Sequence, residues 1–260
     1  MGRSIVVTSG KGGVGKTTIT ANIGASIARL KKRVVVVDMD IGLRNLDVVM
    51  GLENKIVYNI MDVAEGRCKI GQALIKDRYL TNSLFLLPAS QMHTKEDIDI
   101  KKITEIIRTI KESFDYVLID SPAGIEHGFN SAIASVDEAL VVVTPDVSSV
   151  RDADRVIGLL ENRDIEATSL IVNRYNFELV RKKKTLDVKS ILDVLGIDLI
   201  GIIPDDNEVI DFSNRGEILV LHRNSLTAKA FKNTAKRIEG DDVPFLDFER
   251  RGFFGLFGKR

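Results

Sequence analysis

The sequence is poor in several things, and each shortage closes off a class of protein. A single cysteine, Cys68, rules out a disulfide framework or an all-cysteine metal cluster within one chain. It suits a reducing compartment, where a lone thiol serves as a small, partly buried hydrophobe. Net charge is also missing: Lys+Arg and Asp+Glu number 37 each, so no global field draws the chain to nucleic acid or anionic lipid. Any such affinity must be local. No run approaches the ~20 apolar residues needed to span a bilayer. Met1-Gly2-Arg3 leads directly into a strand-like run with no secretory signal, so the expected location is cytoplasmic. Internal repeats and low-complexity linkers are absent as well. With 260 residues and 44% hydrophobic content, one large core is expected in residues 1–240, followed by a separate linker and terminal segment over 241–260.

The most informative stretch runs from Gly10 to Thr18: Gly10, Lys11, Gly12, Gly13, Val14, Gly15, Lys16, Thr17 and Thr18. A glycine, four free positions and Gly-Lys-Thr fit the phosphate-loop pattern. The β-branched run Ser4–Thr8 precedes it and a helix-compatible stretch, Thr17–Lys31, follows. Glycines allow successive N–H groups to turn onto an anion, and the helix adds its unpaired amides and positive dipole end. Lys16 then reaches the β- and γ-phosphates of a nucleotide, and the Thr17 hydroxyl takes a place on Mg²⁺.

Buried-type strands are expected at Arg33–Asp38, Leu84–Leu87, Tyr116–Asp120, Ala139–Val143, Ser169–Asn173 and Leu199–Ile203. Helical periodicity fills the gaps at Ile98–Lys111, Ser149–Asn162, Leu186–Leu195 and Leu226–Ile238. Such alternation predicts an α/β fold, a doubly wound and mostly parallel sheet with helices on both faces. Ligands of these sheets sit beyond the carboxyl ends of the strands. That rule selects Asp38 and Asp40 after one strand, Asp120 after another, Asn173 after a third and Pro204-Asp205 after the last. Asp120, behind four hydrophobic residues, matches a Walker-B carboxylate that holds Mg²⁺ directly or through water. Asp38 and Asp40 point to opposite sides of an extended chain and so differ in task. Asp40 is the candidate to orient or deprotonate the attacking water, and Asp38 to hold the metal's water shell or the loop; at this level the two roles remain exchangeable. A guanine-type Asn-Lys-x-Asp string is absent, which favours ATP.

The string from Lys11 to Thr18, with its second lysine at the start of the loop, resembles the MinD/ParA family of deviant Walker A ATPases. That resemblance implies an ATP-held homodimer in which Lys11 reaches the nucleotide of the facing subunit. It also implies a first switch around Asp38 and Asp40, and adenine contacts from Asn173, Arg174, Pro204 and Asp205. Asp38–Glu53, with Ile41-Gly42-Leu43 where partition ATPases carry Pro-Gln-Gly, is similar to the septum-site branch of the family, as is Ser148–Arg155. In that branch the Ser148–Arg155 helix docks a MinC-like division inhibitor and a MinE-like activator. Val150, Ile157 and Leu160 are expected to face the sheet, leaving Arg151, Asp152 and Asp154 for a partner.

The last residues differ in character from everything before them. As a helix, the terminal segment would place Phe253, Leu256 and Phe257 on one face, with Phe254 at its edge and basic residues at both ends. This reads as an interfacial segment on the inner face of the cell membrane. Four such side chains contribute at most ~1.5–3 kcal/mol each, and ordering a glycine-rich segment takes back much of that. One copy therefore binds weakly. The competing readings are a ParA-type DNA-binding partition ATPase, supported by the basic run Arg181–Lys184, and a flagellar-number-type ATPase. A metabolic kinase using the same loop ranks last.

Overall fold

The computed structural model describes residues 1–125, 127–165 and 167–247. Its strands are β1 (Arg3–Thr8), β2 (Val34–Asp38), β3 (Ile75–Lys76), β4 (Leu84–Leu87), β5 (Tyr116–Asp120), β6 (Glu138–Val143), β7 (Thr168–Tyr175) and β8 (Asp198–Pro204). The helices in the first half are α1 (Lys16–Arg29), α2 (Leu46–Val49), α3 (Ile60–Ala64), α4 (Ile70–Ala73), α5 (Ile100–Lys111) and α6 (His127–Ile133). Those that follow are α7 (Val147–Glu161), α8 (Phe177–Arg181), α9 (Val188–Leu195), α10 (Asn207–Asn214), α11 (Leu219–His222) and α12 (Leu226–Ile238).

The strands form a single sheet in the order β3-β4-β2-β5-β1-β6-β7-β8, parallel throughout except for the β3–β4 pair. The expected doubly wound α/β architecture is therefore present. Alternate side chains of each strand feed opposite faces. Val35, Val37, Val117 and Ile119 join a core with α5, α7 and α9, whereas Val34, Val36, Tyr116 and Leu118 join another with α1 and α12. The valine run in β2 is thus continuous because both its faces are covered. In α5, Ile103, Ile106, Ile107 and Ile110 are all buried, as their spacing requires.

The starts of the expected helices lie within two residues of the sequence expectation, and aspartates cap α5, α7 and α9. Asp99 accepts from the Lys101 and Lys102 amides at the start of α5, Asp146 from Ser149 at α7, and Asp187 from Ser190 at α9. Each satisfies an amide that the helix leaves orphaned. The two-residue β3 has no periodicity to betray it and was not foreseen.

Beyond Gly240 (φ 96°), residues Val243 and Pro244 contact the last turn of α12. The Arg237 guanidinium donates to the carbonyls of Val243, Pro244 and Ile200 at 2.7, 2.9 and 2.9 Å, and lies 3.9 Å from the Phe245 ring centroid. Phe253, Phe254, Leu256 and Phe257 lie outside the described residues. Among the described residues no helix is long and apolar enough to cross a membrane.

The α12 side chain Phe231 is fully buried against the α1 side of the sheet. Phe231→Ala is expected to cost about 3–5 kcal/mol through lost burial and a residual cavity, read as a lower urea midpoint with an unchanged far-ultraviolet spectrum.

Candidate nucleotide site

β1 is flanked by β5 on one side and β6 on the other, so the chain reverses its winding direction there. A crevice must open beyond the carboxyl end of a strand so placed. The Gly10–Gly15 loop leaves β1 at this point and enters α1. Gly15 caps α1 in the left-handed region (φ 99°), and no side chain caps the helix. The first-turn amides are therefore left for an anion. A Cβ on Gly15 would lie 2.4 Å from Asn173 Nδ2, and one on Gly10 would lie 2.3 Å from the Asp152 backbone. Glycine is required at both positions by close approach.

Lys16 is buried, and its Nζ donates to Ser9 Oγ at 3.0 Å. Burial lowers its pKa from the ordinary lysine value, opposed by the charges of Asp120 and Asp40. Thr20 Oγ1 donates to Lys16 O at 2.9 Å and also approaches Asp120 Oδ1 at 3.4 Å. Asp38 and Asp120 end neighbouring strands in direct register and are both buried. Burial raises the pKa of each above the carboxylate range. For Asp120 the Asp38 charge raises it further, while the Thr17 hydroxyl and Lys16 pull it down.

Asp38 and Asp40 make different contacts. Asp38 Oδ1 accepts from the Asp40 amide at 3.0 Å, and its Oδ2 from the Asn45 and Leu46 amides at 3.1 Å each. It therefore staples the loop into α2. Asp40 borders the phosphate-loop cleft, and its Oδ1 is buried without a hydrogen-bond partner. That cleft, of about 420 Å³, brings Lys16, Thr17 and Thr18 together with Asn45, Ser121 and Arg174. A cavity of about 200 Å³ adjoins it and gathers Asn173, Arg174, Pro204 and Asp205 with Gly15 and Thr18. The four residues expected at the base thus share one wall. Asn173 already commits its amide nitrogen to Val14 O at 2.7 Å, leaving its second N–H and its carbonyl. Arg174, exposed and left-handed at φ 53°, borders both cavities.

Lys11 is placed apart from these groups. Its exposed ammonium donates to Ser148 Oγ at 2.8 Å and lies 3.6 Å from Asp146 Oδ1. Asp146 is held at a pKa of about 2: burial pushes it up, but the Thr144 and Ser148 hydroxyls, the Ser149 amide and Lys11 outweigh that.

On α7, Val150, Ile157 and Leu160 are buried, while Arg151 and Asp154 are exposed. Asp152 is only half-exposed and packs on Gly10, so it belongs as much to the loop as to the outer helix face. Sequence reasoning overlooked Ser9, Thr20 and the α10 residues Ser213 and Asn214 that close the cleft. A serine directly before the glycine loop and a threonine one turn after Lys16 were the available signals for the first two.

An uncapped helix end, a desolvated lysine and buried strand-end carboxylates fit a magnesium nucleotide, and they make this a P-loop nucleotide-binding protein. The profile of the CobQ/CobB/MinD/ParA nucleotide-binding domain matches residues 5–220. The septum site-determining protein MinD of Synechocystis is 54% identical over 249 residues, 95% of this chain and 93% of its own. In the MinC:MinD complex of Aquifex aeolicus, one chain superposes with a TM-score of 0.88 at 50% identity, over 94% of this chain and 98% of that one. MinD of Pyrococcus horikoshii, complexed with Mg-ADP, gives 0.82 at 30% identity over 92% and 96%. The chain belongs to the MinD/ParA ATPase family, in its septum site-determining MinD branch.

Because their folded-state pKa values are raised, Asp38 and Asp120 favour the nucleotide-free fold below the normal carboxylate range, and that contribution is lost as pH rises through their elevated values. Asp120→Asn should therefore stabilise the nucleotide-free protein at neutral pH by about 1 kcal/mol or more, with the gain fading toward pH 4. The same variant should lose magnesium-dependent nucleotide affinity. Thermal melts across pH and a fluorescent-nucleotide titration measure the two effects.

Proposed function

We propose that this chain is an ATP-driven positional switch: a slow ATPase that dimerises on ATP, docks on the inner membrane surface and recruits a MinC-like division inhibitor, so placing the septum. The observation that carries this reading is the position of Lys11. It sits at the mouth of the loop, borders a different cavity from Lys16 and is held only by exposed partners. An ion pair of that kind is worth ~0–1 kcal/mol, so the ammonium is readily released to a second subunit's nucleotide. A cation supplied across a dimer interface stabilises charge building on the γ-phosphate oxygens.

Within one chain, the α1 amides and Lys16 bind the phosphates, and Asn173, Arg174, Pro204 and Asp205 receive the base. Thr17 and Asp120 would hold Mg²⁺, with Asp38 supporting its water shell through the loop it staples; the ion neutralises the phosphates and aligns them. Asp40 orients a water whose oxygen bonds to the γ-phosphorus as the bond to the β–γ bridging oxygen breaks, giving ADP and phosphate. The solved Aquifex complex of MinC with MinD supports an inhibitor site here, and Arg151 and Asp154 on α7 are the residues assigned to it. Asp152, at the base of that face, links the site to the loop. A MinE-like activator would act on the same dimer.

Membrane docking is assigned to Phe253, Phe254, Leu256 and Phe257 on the strength of their sequence pattern. Two weak anchors joined in a dimer gain avidity of ~10²–10⁴, so ATP sets membrane occupancy. A DNA-binding role would rest on the basic run Arg181–Lys184, whose four residues are exposed, with Lys182 3.5 Å from Glu178.

Sizing with a non-hydrolysable ATP analogue should show a dimer that reverts to monomer with ADP, and Lys11→Ala should stay monomeric while still binding nucleotide. A Lys11→Ala protein that dimerises normally would overturn the trans role. Deleting Gly252–Arg260 should abolish ATP-dependent sedimentation with anionic liposomes and leave nucleotide affinity intact. Sedimentation without the tail would remove its assigned role.

A further inference from the structure

Asp40 carries an oxygen that its own loop does not satisfy. Its Oδ1 is shielded from solvent and receives no hydrogen bond, a costly state for an ionised carboxylate. The cation facing it from outside the phosphate loop is Lys95, whose Nζ lies 3.9 Å from that oxygen. The distance suits an ion pair and is too long for a hydrogen bond.

Lys95 is built into place from both ends. It opens a short 3₁₀ turn, Lys95–Asp97, fixed where the Thr94 amide and hydroxyl donate to Asp97 Oδ2 at 2.7 and 3.0 Å. Just upstream, Ser90 O accepts from the Gly42 amide at 2.8 Å, binding this segment to the loop that bears Asp40. The lysine stem reaches the other way. A Cβ on Gly128 would lie 3.4 Å from Lys95 Cδ and 2.7 Å from Pro122 Cγ. The stem therefore crosses the first turn of α6, beside the chain leaving Asp120. One side chain touches both segments that flank the phosphate cleft.

We infer that Lys95 is a positioning residue for ATP hydrolysis: its ammonium holds the Asp40 carboxylate toward the cleft while its stem ties that carboxylate to the segment after Asp120. The inference deepens the assignment of Asp40 as the group that orients water, and rests on it. Magnitudes separate this role from a merely structural one. The pair is partly exposed, at 30% and 24% for the two side chains, so its loss shifts stability little. A catalytic group displaced by ~1 Å can cost ~10²-fold in rate.

The test uses the full chain with Mg-ATP. Lys95→Gln should lower single-turnover hydrolysis roughly 10-fold or more, while fluorescent-ADP affinity and dimerisation with a non-hydrolysable analogue stay within about twofold. Lys95→Arg keeps the charge and should recover most of the rate. Asp40→Asn should abolish turnover, and adding Lys95→Gln to it should cost nothing further, since a positioning residue has nothing left to position. Full activity in Lys95→Gln beside an inactive Asp40→Asn would overturn the Lys95 role alone. Equal losses of rate and nucleotide affinity in Lys95→Gln would do the same. Full activity in Asp40→Asn would overturn the reading of Asp40, and this inference with it.

Discussion

Two carboxylates buried side by side at the ends of neighbouring strands, with a buried lysine close by, govern the rest of this structure. Asp38 and Asp120 face each other across β2 and β5 in exact register. Hydrophobic layers on both faces of the sheet keep water from them, so each is driven toward its neutral form. Lys16 is driven the same way from the opposite charge. A bound phosphate would supply a counter-charge to Lys16, and a divalent ion one to Asp120.

Keeping those groups dry demands close packing around the loop, and glycine is the means. Gly10 lies against the Asp152 backbone and Gly15 against the Asn173 amide, so α7 and β7 are both in contact with the phosphate loop. Farther out, Gly51 and Gly216 meet almost backbone to backbone: a Cβ on Gly51 would lie 2.3 Å from Gly216 O. That contact sets α2, which Asp38 staples, against the α10–α11 turn beside the base cavity. Phosphate, base and outer helix face are therefore joined by direct contacts.

The charge contacts at the rim have a different character. Lys11 with Asp146 and Lys95 with Asp40 are partly exposed pairs, individually weak. In the proposed cycle, weakness would suit Lys11, which must leave Asp146 to reach a second subunit's nucleotide. The deep groups set where the nucleotide goes, and the rim groups set what closing over it can change.

The sequence by itself determined the strands other than β3, the doubly wound sheet and the loop motif, because continuous β-branched runs, 3.6-residue periodicity and a fixed glycine spacing are local signals. It also placed Asp38, Asp40, Asp120, Asn173 and Pro204-Asp205 at or near strand ends, where the winding rule brings distant residues together. Only the tertiary structure decided how they divide the work. That Asp38 is consumed by three amides while Asp40 keeps an oxygen with no hydrogen bond among the described residues depends on how the loop after β2 turns. That Asp152 supports the loop depends on α7 packing against Gly10, and Lys95 enters the site from a 3₁₀ turn with no motif of its own. Contacts between segments far apart in the chain leave no periodic trace, because each partner alone looks like an ordinary surface residue.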